Sequence, residues 1–146
     1  MSQTLFSGPL ASGDKQAGVS GGPNVGLVLL TQSVLIDFDN TLVQNGTVYL
    51  PLGSRIVNIF VDVLTAYNSA TSATLTVGTS SAATTYVSGV NAKTAARTTP
   101  TFTTAQLTAM GSTALAPVVT TITSVGQPTA GQVRVNIQYA QTTSQD

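Results

Sequence analysis

Apolar and polar residues alternate with a period of two from residue 25 onward, the period of a strand with one buried face rather than that of a helix. Residues 25–30 read as a short apolar strand. Residues 33–38 read as a second, with Val34, Ile36 and Phe38 on one face and Leu35 and Asp37 on the other. Residues 42–50 carry Asn45-Gly46 between strand-like residues, the pair that best tolerates the positive φ of a type I′ hairpin turn, so a hairpin is predicted there. Pro51 to Ser54 turns the chain into the most apolar segment, 55–66. There Val57, Ile59, Val61 and Val63 form one face, and Ile56, Asn58, Phe60, Asp62 and Leu64 form the other. Arg55 and Asp62, seven apart along that strand, fall on opposite faces.

The pattern continues with a strand over 72–78, Leu75 and Val77 inward, and another over 84–88. Residues 91–100 read as a loop carrying Lys93 and Arg97. One short helix is predicted over 104–110, with a threonine N-cap, Leu107 and Met110 on a shared face, and Gly111 as its stop. Residues 117–123 and 132–140 complete the chain as a final hairpin, with Val133, Val135, Ile137 and Tyr139 inward. Seven or eight short strands with polar turns and one short helix predict an all-β fold, an antiparallel β-sandwich of jelly-roll-like type. The domain is expected to span 25–146.

Residues 1–24 follow a different rule. They are rich in Gly and Ser, with only Leu5, Phe6, Leu10 and Val19 scattered among them, and they lack any periodicity. A flexible N-terminal arm is expected, ending at the Gly/Pro punctuation of 18–24. The arm has neither the basic start nor the apolar stretch of a signal peptide. The longest apolar runs elsewhere fall well short of the roughly 20 residues of a membrane helix. A chain made in a cytoplasm, or packaged there into something larger, is expected.

Composition narrows the function. At 146 residues a single domain with a real core is expected. The chain has no Cys, His, Trp or Glu, which removes disulfides, the usual zinc ligands, the commonest neutral-pH base and the best nucleophile. Charged residues are 7% of the chain, against roughly 25% for an ordinary soluble domain, and the formal net charge is zero. Balanced charge leaves no footprint for nucleic acid, and few charges leave little repulsion to keep copies apart. Thr, with 25 copies, is the most abundant residue; its branched Cβ suits a pleated sheet and its hydroxyl suits solvent or a partner. Much of this surface is expected to pack against neighbouring subunits.

One stretch points to chemistry. Asp37-Phe38-Asp39-Asn40-Thr41-Leu42, after an apolar strand, resembles the nucleophile motif of haloacid dehalogenase-type phosphatases, with Asp37 as nucleophile and Asp39 as acid/base. That chemistry needs a parallel strand in an α/β fold, a downstream phosphate-holding Lys and a later acidic pair for magnesium. After Asp39 come only Asp62, inside a strand, and Asp146, the last residue; the single downstream Lys is Lys93, in a loop. A calcium-loop reading fails as well, since the sixth position is Leu42 and the twelfth Val48. The simpler expectation is that Asp37 and Asp39 sit at a strand end and shape a turn, or at most form a weak cation site. No catalytic residue and no cofactor is expected.

The run 46–98 carries a resemblance. Its L-P-x-G at a strand end (Leu50–Gly53), I-x-x-I-x-V-D-V strand (Ile56–Val63), T-A-Y-N-S-A-T turn (Thr65–Thr71) and L-T-V-G-T strand (Leu75–Thr79) resemble those of small β-rich virion proteins of tailed bacteriophages. The resemblance extends over roughly 42–139. It implies a head decoration, or cement, protein on the outer capsid surface: a β-sandwich without catalysis, with the major capsid protein and copies of itself as partners, a trimer favoured, and with neither nucleic acid nor membrane. The expected location is the virion, with the host cytoplasm during assembly. The expected contact residues are Leu5, Phe6 and Leu10 of the arm, ordering on a neighbouring subunit, together with Lys93 and Arg97. A tail, neck or head-fibre component shares the composition argument. A receptor-binding fibre tip calls in addition for an aromatic cluster and a shaft repeat, which this chain lacks.

Overall fold

A computed structural model describes residues 27–112 and 117–142; the predicted arm, with Leu5, Phe6 and Leu10, lies outside them. The elements are β1 (Leu27–Asp37), β2 (Val43–Val48), β3 (Ser54–Thr65), β4 (Ser72–Gly78), β5 (Val87–Asn91), β6 (Arg97–Thr98), α1 (Thr104–Met110), β7 (Val118–Val125) and β8 (Gln132–Thr142). β4 pairs with β5, β3 with β6, β2 with β7 and β1 with β8, all antiparallel, as in one long hairpin folded at the β4–β5 connection. Rolling that hairpin up adds the pairings β3·β8 and β4·β7. The result is two four-stranded sheets, ordered β1-β8-β3-β6 and β2-β7-β4-β5, which is the strand order of a jelly roll. The expected all-β antiparallel sandwich is the observed fold.

The period of two explains the core. Val133, Val135 and Ile137 of β8 and Ile59, Val61 and Val63 of β3 point from the first sheet onto Leu75 and Val77 of β4 and Val118 and Ile122 of β7 in the second. Tyr67 closes one end of this layer, its hydroxyl donating to Gln44 Oε1 at 2.7 Å, so two polar groups share the core without an unpaired atom between them. α1 spans the residues expected from the sequence. Thr103 caps it, and Gln106 answers in a capping box, with Thr103 N donating to Gln106 Oε1 at 2.9 Å and Gln106 N donating to Thr103 Oγ1 at 3.3 Å. Its buried face is Gln106 and Met110, while Leu107 is exposed, contrary to the expected Leu107–Met110 face.

Several expectations are corrected. The strands predicted over 25–30 and 33–38 are one strand, since Thr31 and Gln32 continue the register opposite Gln138 and Ile137. Asn45-Gly46 is not a turn: both residues sit inside β2, opposite Thr121 and Thr120. Gly46 is there because the two sheets close on it; a Cβ would lie 2.7 Å from Val34 Cγ2. The register of β3 slips at Val57, a β-bulge that brings Ile56 and Ile59 to the core side together and turns Val57 outward. The same slip places Arg55 and Asp62 on one outer face rather than on opposite faces.

The strand expected over 84–88 begins at Val87, because 79–84 loops over the outside of the second sheet, where Ala82 N donates to Thr121 Oγ1. The final strands are not a hairpin either. β7 and β8 belong to different sheets, and residues 126–131 carry the chain across the sandwich. Asn68 holds that crossing through its Oδ1, which accepts from Thr129 N and Ala130 N, and the Tyr67 ring lies against Gly131.

Candidate functional site

Asp37 and Asp39 stand exposed at the end of β1. Asp37 Oδ1 accepts from Gln132 Nε2 at 2.6 Å, a cross-strand contact to β8. Asp39 Oδ1 accepts from Thr41 N at 3.0 Å and from the Thr41 hydroxyl, and those hydrogen bonds hold its carboxyl below the usual carboxylate range. Asn40 between them has φ 67°, in the left-handed region that Asn tolerates. This is an Asx-type turn linking the two sheets, and its geometry serves the connection. Among the described residues no three His, Cys, Asp or Glu side chains gather to hold a metal ion.

The polar chemistry of the molecule lies instead on the outer face of the β1-β8-β3-β6 sheet. Strand register lines up Leu35, Arg134, Asp62 and Arg97 in one row across all four strands, with Ser33, Asn136 and Phe60 in the next. Ser33 Oγ donates to Asn136 Oδ1 at 3.0 Å, and Asn136 Nδ2 donates to Asp62 Oδ2 at 3.1 Å. Arg97 closes the chain with a two-pronged grip on Asp62, its Nη2 donating to Oδ2 at 3.0 Å and its Nε to Oδ1. The guanidinium also lies 5.1 Å from the centre of the Phe60 ring. Asp62 is 8% exposed although it faces outward, because these side chains cover it, whereas the Arg97 side chain remains 69% exposed. The Arg97 hydrogen bonds, and after them its positive charge, hold the Asp62 carboxyl below its ordinary range against the opposing effect of burial. Asp62 in turn raises Arg97.

The network staples β6, only two residues long, to the sheet. It also neutralises one acid and one base in a row whose other members are Leu35 and Arg134. Thus Arg97, expected on a free loop, is a paired strand residue. Lys93, from the same predicted loop, is half-buried, with its Nζ making long contacts to the carbonyls of Ala70 and Thr71 at 3.4 and 3.3 Å. Lys93 and Arg97 are held by different partners, Lys93 by these carbonyls and Arg97 by Asp62. Asn136 and Asp62 were not singled out from sequence. The available signal was an acid between buried valines in Val61-Asp62-Val63, which demands a partner on the outer face.

A second feature is concave. β5 and β6 are the free edges of their respective sheets on the same side of the sandwich. A groove of about 470 Å³ lies there, with β5 on one wall and Thr94, Ala96 and residues 98–101 on the other. No ionisable side chain lines it. Gln106 of α1 braces β5 from behind, reaching the Thr84 carbonyl and Ser88 Oγ at 3.4 Å.

No family model matches the chain. No curated protein is similar to it. Among solved structures, a chain of the cyanophage Pam1 capsid asymmetric unit is similar over 90% of this chain and 98% of its own, with a TM-score of 0.53 and 23% identity. At that identity the likeness shows a shared fold.

Proposed function

We propose that this chain is a structural protein of a tailed-bacteriophage virion that binds the outer surface of the assembled head and stabilises it, as decoration proteins do. The observation that carries the reading is the near end-to-end likeness to a chain of a phage capsid asymmetric unit. The molecule suits the task. It offers a rigid sandwich, a surface of threonines with few charges, and polar groups spent on holding strands and turns rather than poised for reaction. The partners are the major capsid protein and neighbouring copies of this chain, a trimer favoured, without nucleic acid, membrane, cofactor or catalysis.

Stabilisation works by linkage. A protein that binds the assembled shell and not its dissociated subunits makes disassembly less favourable, and identical contacts repeated over a symmetric surface add up. The exposed edges of the two sheets, little guarded by charge, are natural places for adjacent subunits to cover. The experiment is a co-sedimentation assay of the purified chain with heads that lack it, followed by heating. The chain pelleting with heads and raising the temperature at which they release DNA supports the reading. A chain left in the supernatant at saturating concentration contradicts it.

A further inference from the structure

We infer that β1 is a self-pairing edge: it joins β1 of a second copy of this chain, antiparallel and about a two-fold axis at Gln32. The inference rests on the reading above that copies of the chain are one another's partners, and gives that contact a surface. Four strands end the two sheets, and three of them are poor templates. β6 has two residues. β5 has five, with a register break against β4 and Gly89 at φ 82°. β2 has six, with Gly46 among them. β1 has 11 residues, all in unbroken register with β8. Among the described residues it pairs with β8 alone, so alternate N–H and C=O groups along its other side lack a strand partner. It carries no Pro, no Lys and no bulge, the usual guards of such an edge, and its one charge is Asp37 at the end. Leu29 and Leu35 on the outer face are exposed, and so is Leu30, whose place in the alternation turns it toward the other sheet.

The order of residues along β1 selects a second copy as the occupant. Read outward from Gln32, the strand is nearly a palindrome: Thr31 and Ser33, Leu30 and Val34, Leu29 and Leu35, Val28 and Ile36. Antiparallel pairing centred on Gln32 sets each of these residues opposite its counterpart in the partner, hydroxyl against hydroxyl and apolar against apolar. Outer-face Leu29 then covers Leu35 of the second copy, and Leu30 covers its Val34. The two Asp37 carboxylates stand ten residues, roughly 33 Å, apart. Neighbouring two-fold registers match less well. Centring on Thr31 sets Leu30 against Gln32, and centring on Ser33 sets Leu29 against Asp37. The stretch 13–24 of the chain itself is a weaker strand partner, since Gly18, Gly21, Gly22 and Pro23 interrupt it and Val19 is its one good strand former. The contact is two-fold, hence distinct from the three-fold contact of the favoured trimer, and links one such group to the next.

The absence of cysteine makes the test clean. Gln32, Thr31 and Ser33 are all exposed. The full chain carrying Q32C is oxidised under non-denaturing conditions and resolved on a non-reducing gel. In the inferred pair the two residues at 32 face each other with Cα atoms about 4.5–5.5 Å apart, within disulfide reach. A covalent dimer is therefore expected. T31C alone and S33C alone place their thiols roughly 8 Å apart by Cα and link poorly, whereas a mixture of the two chains links 31 to 33, as mass spectrometry of the joined peptides shows. A Q32C chain that stays monomeric, or T31C and S33C linking as fast alone as mixed, overturns the inference. A second readout needs no cysteine. Alternate backbone amides of 28–36 exchange several-fold more slowly as protein concentration rises, and Q32K, which sets two lysines face to face, abolishes that slowing. Exchange independent of concentration in the parent overturns the inference as well. Both readouts are taken without viral heads. Failure to bind heads counts against the proposed function, and failure of β1 to pair counts against this inference.

Discussion

Gly46 of β2 lies against Val34 of β1 across the sandwich, so near that a Cβ on Gly46 would sit 2.7 Å from Val34 Cγ2 and 3.0 Å from Thr120 Oγ1. The first sheet packs into the space left by the missing side chain. Gly46→Ala therefore forces the layers apart and costs about 1–3 kcal/mol by overpacking. Urea unfolding is expected to show a lower midpoint. Gly111→Ala is the control: it sits in right-handed helical conformation with nothing nearer than 3.5 Å, and its midpoint stays within about 0.5 kcal/mol of the parent.

The Asp62–Arg97–Asn136 network carries an acid-side pH dependence. Asp62 is held below its ordinary value of 3.8 in the folded state, so the unfolded chain binds protons more readily. The network's stabilisation is complete above pH 3.8 and is lost as pH falls through the lower folded value. Asp62→Asn removes that acid-side loss and lowers neutral-pH stability by roughly 1 kcal/mol, the scale of a partly exposed charged pair. Urea midpoints at pH 7 and pH 3 for parent and variant check both parts. An acid-side loss of equal size in the two proteins contradicts the assignment.

Tyr67 gives the alkaline counterpart. Burial, with the nearby charges of Asp37 and Asp39 adding to it, pushes its phenol up to about 12 from 10. The folded state holds that proton more tightly, so the stabilisation is present below pH 10 and declines as pH rises toward 12. Tyr67→Phe leaves Gln44 Oε1 without its donor and costs about 1–3 kcal/mol at pH 7, while flattening the alkaline decline. Absorbance titration of the tyrosines, with and without this substitution, identifies the late-titrating group.

The capping box of α1 is tested by Thr103→Ala. It removes the acceptor for Gln106 N and costs about 1 kcal/mol. Because Gln106 also reaches Thr84 and Ser88, amide exchange at β5 is expected to quicken in this variant, whereas β1 is unaffected.

The fold class was legible because a period of two runs through most of the strand residues, interrupted in β3 by the bulge at Val57. The last strand is the clearest case: Val133, Val135, Ile137 and Tyr139 are all buried as the alternation demands. The helix was legible from its Thr cap and Gly stop. Three features were not. The Asn45-Gly46 pair has the chemistry of a turn, but its glycine answers to a partner sheet, a contact with a residue twelve positions away. The bulge at Val57 leaves no mark in the alternation of residues 55–66, which reads equally well without it. The crossing between β7 and β8 depends on Asn68, about sixty residues distant, holding Thr129 and Ala130. At the candidate site, the turn role of Asp39 was legible from its Asn40-Thr41 sequel. The pairing of Asp62 with Arg97 was not, because it is made between strands 35 residues apart. Long-range pairings of this kind leave no periodic trace.

The central claim is that this chain sits on the outside of a phage head. A density map of the intact particle that carries it tests this most directly. The account predicts the eight-stranded sandwich at repeated positions on the outer surface of the capsid, in contact with the major capsid protein and with its own copies. Density for the sandwich confined to the tail or neck, or its absence from the mature particle, would contradict it.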